Sequence, residues 1–74
     1  MNAKTMTALP TNDEIRDALA YMGAAKTEAQ VYARARELGP MVERLEASPT
    51  QAVRAIHIRN LAAYRRMCIR RGWG

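Results

Sequence analysis

Few side chains in this chain could take part in covalent chemistry. His57 is its one histidine and Cys68 its one cysteine. A histidine works as a general base when a carboxylate orients it, yet no acid follows Glu46 in the sequence. We therefore predict that His57 is partly buried and bonded to a neighbour, and that Cys68 is a small buried residue in a reducing compartment.

Motifs for metals and cofactors are absent from the sequence. It has no HExxH pattern, no cysteine pair for zinc or a disulfide, and no glycine-rich phosphate loop. These absences predict a protein that is not an enzyme and that uses no metal, no cofactor and no small-molecule substrate.

The strongest chemical signal is the arginine content near the carboxyl end. Residues 1–46 contain all seven acids and six bases, a net charge of −1, whereas residues 47–74 carry +6. Dipole compensation at the end of a helix explains some of these cations, but like charges repel, and a surface of this kind favours an anionic partner. Arginine bridges phosphate oxygens and stacks on bases, so the pattern predicts phosphate contact with nucleic acid or contact with an acidic protein. The predicted contact residues are Arg54, Arg59, Arg65, Arg66, Arg70 and Arg71.

These arginines lie on a long helix that is predicted from Ser48 to Trp73. Ser48 and Gln51 form a capping-box pattern, and Pro49 suits the first helical position. At about 100° per residue, one side of this helix is predicted to face the core. That side carries Val53, Ile56, Leu61, Tyr64, Met67 and Cys68, with His57 and Asn60 among them.

The opposite side of this helix is predicted to dock on a protein partner. Ile58, Ala62 and Ile69 lie there between the arginines. An exposed isoleucine leaves unused up to ~1.5–3 kcal/mol of burial free energy, although scattered surface hydrophobic residues are the alternative interpretation. Trp73, between two glycines, could fold back onto the core, stack on a base or anchor in a partner's pocket.

Capping patterns predict two helices earlier in the chain. Residues 1–10 show no periodicity and are predicted to be a flexible N-terminal arm, followed by a single helical domain over residues 11–74. Thr11 and Glu14 form a capping box for the first helix, and Gly23 is predicted to end it with a left-handed cap.

A second capping pattern, Thr27 with Gln30, starts the next helix near Glu28. Its apolar positions keep their phase across Gly39–Pro40, where the helix is predicted either to kink or to stop near Leu38 and restart. The apolar positions are Val31, Ala35, Leu38, Val42 and Leu45. The predicted fold class is all-α, a small bundle of three or four helices with a long C-terminal basic helix.

The sequence contains no apolar run of about 18 residues, and its first ten residues lack the apolar middle of a signal peptide. We therefore expect a cytoplasmic protein without a membrane partner.

The segment AYRRMCIRRGWG, from Ala63 to Gly74, resembles the basic helices of small phage-encoded transcription regulators, including antitermination factors that act on host RNA polymerase. Those factors carry their basic segment at the amino end, so no functional residue is transferred. The resemblance implies a small regulator that docks on a larger protein complex such as RNA polymerase and places its arginine-rich helix beside nucleic acid. The alternative is an inhibitor or adaptor that binds an acidic protein surface without nucleic acid.

Overall fold

The computed structural model describes residues 9–73, which form four α-helices and no strand. The helices are α1 (Asn12–Gly23), α2 (Glu28–Glu37), α3 (Gly39–Glu46) and α4 (Ala52–Arg70). This confirms the predicted all-α bundle with a long C-terminal helix. Residues 1–8 of the predicted arm, and Gly74, lie outside the described residues.

Side-chain caps start the first two helices. At α1 the Thr11 hydroxyl accepts from the Glu14 N–H at 3.1 Å while the Glu14 carboxylate accepts from the Thr11 N–H at 2.7 Å, as the capping box predicted. At α2 the Thr27 hydroxyl accepts from the Gln30 N–H, but the Gln30 side chain accepts from the N–H of Lys26. The Gln30 side chain therefore bonds to the residue before the N-cap, whereas in a standard capping box it would bond to the N–H of the N-cap residue Thr27 itself.

The helix that contains Gly39–Pro40 is broken rather than kinked. The helix α2 ends at Glu37, and α3 begins at Gly39 with Pro40 in its first turn, where the missing N–H breaks no helical bond. Leu38 caps both helices and packs against buried residues of each. The apolar positions on the two sides of the break thus face one continuous interior.

Two helix ends differ from the sequence prediction. Gly23 is the last helical residue of α1 and does not adopt a left-handed cap, since the next residue, Ala24, continues with helical dihedral angles. The helix α4 begins at Ala52 and not near Pro49, because residues 47–51 form turns. The Ser48 hydroxyl lies 3.3 Å from the Thr50 hydroxyl, and it is the Ser48 carbonyl that accepts from the Gln51 N–H.

The long helix α4 is the centre of the bundle because each of the other three helices packs against it. Two groups of buried residues lie along it. The first consists of Ile15, Val42, Leu45, Ala55 and Ile58, and the second of Met22, Ala25 and Val31, with Leu61, Ala62 and Ile69 packed against it. No helix within residues 9–73 combines the length and apolar content needed to span a membrane.

Candidate nucleic-acid interface

The helix α4 is rotated by about half a turn from its predicted orientation. Ile58 is only 2% exposed, and Ala62 and Ile69 pack against the buried residues Met22, Ala25 and Val31. These three residues were predicted to dock on a partner, and that prediction is wrong because they form the inner face of the helix. Ala55, which is fully buried, and Ala62 allow the neighbouring helices to approach α4 closely.

Most of the residues that were predicted to face the core lie on the surface. Val53, Ile56 and Tyr64 are each more than half exposed, Met67 is 37% exposed, and His57 and Asn60 are exposed as well. Ala63, which was not assigned to that side, is exposed beside them. We call these seven residues the outward face of α4. Cys68 is buried and Leu61 is half-buried, so the prediction holds for these two positions alone.

Five of the six arginines lie on the flanks of α4, between the buried and outward faces, and bond to other elements of the same chain, whereas Arg71 contacts Trp73. Arg54 donates to the Asn12 side chain at 2.6 Å, Arg59 pairs with Glu46 at 2.5 Å, and Arg65 donates to the Ala25 carbonyl at 2.7 Å. These contacts connect α4 to the start of α1, the end of α3 and the segment before α2. The three arginines nearest the amino end of α4 therefore help to hold the bundle together.

The other three arginines gather at the carboxyl end of α4. Arg66, Arg70 and Arg71 line a surface cleft of about 220 Å³ together with Ala63 and Met67. Arg66 donates to the Tyr32 hydroxyl at 2.9 Å, and its guanidinium lies 5.0 Å from the centre of the Tyr32 ring. Tyr32 is half exposed, so this stacked pair stands at the surface.

The end of the chain adds a second arginine and aromatic pair. Trp73 is 63% exposed, and the Arg71 guanidinium lies 5.4 Å from the centre of its ring. Trp73 thus does not fold back onto the core. We refer to Tyr32, Arg66, Arg70, Arg71 and Trp73 as the arginine–aromatic cluster.

A Schellman motif holds Trp73 in place. Gly72 has a positive φ of 77°, its N–H donates to the Ile69 carbonyl, and the Trp73 N–H donates to the Cys68 carbonyl at 2.8 Å. Glycine adopts this left-handed conformation without the steric cost that a Cβ would add. The backbone therefore fixes the direction in which the indole leaves α4.

One carboxylate neutralises part of the cluster. Arg70 donates to both carboxylate oxygens of Glu28, at 2.7 and 3.4 Å. This hydrogen bonding lowers the pKa of Glu28 and raises the pKa of Arg70. The arginine–aromatic cluster has three guanidinium groups against this one carboxylate and so keeps a net positive charge.

The residues with potential for covalent chemistry lie apart from one another. His57 is exposed, contrary to prediction, and shares a cleft of about 280 Å³ with Arg16 and Arg54 and with no carboxylate. Cys68 is buried, as predicted, and its thiol raises the pKa of the Tyr64 hydroxyl through hydrogen bonding. Residues 9–73 contain no group of three or more histidine, cysteine or acidic side chains that could hold a metal ion.

Sequence reasoning missed the partners of the arginines. Tyr32, Glu28 and Glu46 were not recognised as contacts because each is at least 13 positions away along the chain. The available signal was that all seven acids of the chain lie before residue 47, so any carboxylate partner of these arginines had to come from there.

Comparisons of the chain with protein-family models, with curated proteins and with solved structures find no match. The resemblance of residues 63–74 to phage transcription regulators accordingly stays a prediction.

Proposed function

We propose that this protein is a small non-enzymatic regulator that binds nucleic acid through the carboxyl end of α4 and thereby modulates the transcription apparatus. The observation that carries the proposal is the arginine–aromatic cluster, where Arg71 stacks on the exposed Trp73 beside a cleft that Arg66 and Arg70 also line. Guanidinium groups bind phosphate oxygens, and exposed aromatic rings stack on bases.

The mode of contact follows from the geometry of the cluster. Arg66, Arg70 and Arg71 occupy two successive turns of one helix, which suits the tracking of a phosphate backbone. Trp73 and Tyr32 are at least half exposed, each with a guanidinium over its ring, and exposed aromatic rings stack on unpaired bases without reading a specific sequence. We therefore expect binding with little sequence preference and with single strands favoured over duplexes.

The six predicted arginines are not equally available for contact with phosphate. Arg66 and Arg71 contact neutral aromatic groups, so their charges are available to phosphate. Arg59 pairs with Glu46. Arg54 bonds to Asn12 at the start of α1, and Arg65 bonds to the carbonyl of Ala25 in the segment before α2. The proposed contact set is accordingly Arg66, Arg71 and Trp73, with Tyr32 added, while Arg70 lines the same cleft and pairs with Glu28.

A direct test is to titrate the protein with a random-sequence single strand and a random-sequence duplex in about 50 mM salt. Trp73 is the one tryptophan, so its fluorescence reports on stacking without a label. The double variant Arg66→Gln/Arg71→Gln should bind on the order of tenfold more weakly. On the duplex, the slope of log K against log salt concentration should become shallower by roughly 0.9 for each phosphate contact that is lost.

Arg16→Gln/Arg36→Gln is the matched control. It removes the same charge from two exposed arginines on α1 and α2 and should change the affinity by less than about twofold. Equal losses in the two double variants, or no binding of either nucleic acid at about 100 µM protein, would refute the proposal. Competition by polyglutamate at equal charge concentration would instead favour the alternative of an acidic protein partner.

A further inference from the structure

The outward face of α4 is an apolar surface that nothing in the described chain covers. Val53 is 54% exposed, Ile56 53% and Tyr64 56%, and Met67 extends the surface toward the carboxyl end. At about 1.5 Å per residue, this face runs for roughly 21 Å along the helix. Two exposed apolar groups of that combined length, separated by His57 and Asn60, indicate an interaction site on so small a protein.

We propose that this face binds a second copy of the same chain, with the two α4 helices antiparallel and a two-fold axis passing by Asn60. A two-fold interface must be self-complementary, so a residue at a given distance before the axis meets the residue at the same distance after it. This inference does not rest on the proposed binding of nucleic acid, and the two surfaces share Ala63 and Met67.

The spacing of the outward face meets that requirement. Val53 and Met67 are each seven positions from Asn60, so they oppose one another across the axis. Ile56 and Tyr64 are each four positions away and form the next apolar pair. His57 opposes Ala63, which leaves room for the imidazole, and each apolar side chain thus meets an uncharged partner.

Asn60 occupies the position that a polar residue can hold in such a pair. Lying on the axis, it faces its own copy, and two side-chain amides can exchange hydrogen bonds there. A single asparagine in the middle of an apolar helix interface fixes the register, since a shifted pairing would leave each amide against apolar groups.

The distribution of charge along α4 favours an antiparallel pair of helices over a parallel one. The outward face contains no Asp, Glu, Lys or Arg, and five of the six arginines of residues 54–71 bond to other helices or to the segment before α2, at the flanks. A parallel pair would place Arg71 beside the partner copy's Arg71. The antiparallel pair instead separates the two basic ends and aligns the helix dipoles head to tail.

The size of the face sets the expected affinity. A helix is about 10–12 Å wide, so two faces roughly 21 Å long bury less than the ~1,200 Å² typical of stable complexes. The dissociation constant of the dimer should therefore be micromolar or higher, and this sets the range of protein concentrations over which the association has to be measured.

Sedimentation equilibrium of the full chain without nucleic acid tests the association. The average mass should rise from the monomer's 8.3 kDa at about 1 µM toward twice that value at several hundred micromolar. Ile56→Glu should keep the protein monomeric, because the two-fold symmetry would bury one carboxylate from each copy in the interface. Ala29→Glu, at an exposed position of α2, is the matched control and should dimerise like the unchanged protein. A monomer at every concentration, or equal behaviour of the two variants, would overturn the proposal.

Disulfide trapping tests the register. In a Cys68→Ala background, Asn60→Cys should form covalent dimers with itself. Val53→Cys and Met67→Cys should cross-link mainly to each other when mixed, and Ala29→Cys should give no dimer above background. Preferential self-cross-linking of Val53→Cys would show a parallel pair and would contradict the antiparallel assignment, whatever the nucleic-acid titration shows.

Discussion

The two faces of α4 are both apolar, yet one is the centre of the bundle and the other is open to solvent. The inner face combines small residues, such as the fully buried Ala55, with isoleucine. The outward face carries larger side chains, including Ile56 and Tyr64, and remains exposed. Hydrophobicity alone thus does not decide which face is buried; small residues that let three other helices approach closely distinguish the inner one.

Arginine marks the border between these faces. Long arginine side chains can run along apolar surface while the guanidinium reaches a polar partner at its edge. Arg54, Arg59 and Arg70 do so, reaching Asn12, Glu46 and Glu28. The positive charge of residues 47–74, from which an anionic partner was predicted, is therefore partly neutralised within the chain. The arginines whose charge is not neutralised in this way are concentrated at the carboxyl end of α4.

The largest expected effect contrasts two isoleucines of the same helix. Ile58→Ala should lower the free energy of unfolding by about 2–5 kcal/mol, since Ile58 is 2% exposed and truncation leaves a cavity. Ile56→Ala should cost less than about 0.5 kcal/mol, since Ile56 is 53% exposed. Urea denaturation at a few micromolar protein measures both, and a larger loss for Ile56→Ala would mean that the two faces have been exchanged.

A second, smaller effect contrasts two glycines at helix ends. Gly72→Ala should destabilise the protein by about 1–2 kcal/mol, because its positive φ is unfavourable for any residue with a Cβ. Gly23→Ala should instead stabilise by up to about 1 kcal/mol, as Gly23 is helical and a Cβ there meets nothing within 4 Å. Thermal unfolding of both variants should give shifts of opposite sign; a stabilising Gly72→Ala would argue against the Schellman motif that orients Trp73.

The smallest effect concerns the ion pair at the edge of the arginine–aromatic cluster. The pKa of Glu28 lies below its ordinary value of 4.5 because Arg70 donates to the carboxylate. The stabilisation from this pair is therefore complete above pH 4.5 and is lost as the pH falls through the lowered pKa. The difference in melting temperature between the unchanged protein and Glu28→Gln should be small at pH 6 and should shrink further by pH 3. Arg70→Gln should show the same trend, and a difference that grows on acidification would contradict the assignment.

Local signals predicted most of the fold. Thr11 with Glu14, Thr27 with Gln30, and Pro40 act within one turn of the chain, and the structure confirms the helix starts that they predict. Ser48 failed as a cap because its hydroxyl contacts Thr50, a competing local interaction. Such failures move a helix end by a few residues and leave the architecture unchanged.

The orientation of α4 could not be read from local signals. The helix carries apolar residues on opposite sides, Ile58 and Ile69 on one and Ile56 and Met67 on the other, and a periodicity argument has no basis for choosing between them. The choice is made by packing against residues far away in the sequence, such as Ile15 and Leu45, which are buried together with Ile58. Arg66, Arg70 and Arg71 do lie together at the surface because they are neighbours in the sequence, whereas Arg65, which was grouped with them, bonds to the Ala25 carbonyl.

The placement of Arg66 and Arg70 on a single flank of α4 has a geometric consequence for the proposed pair. A two-fold axis perpendicular to both helices keeps equivalent flanks on the same side, so the Arg66 and Arg70 side chains of both copies would lie on one side of the pair, with Ala63 and Met67 in its interface. Residue 70 of one helix would lie level with position 50 of the other, which puts the two Arg70 residues about 30 Å apart along the helices. A single strand long enough to span the two Arg70 residues would contact both copies at once, so pairing would strengthen nucleic-acid binding.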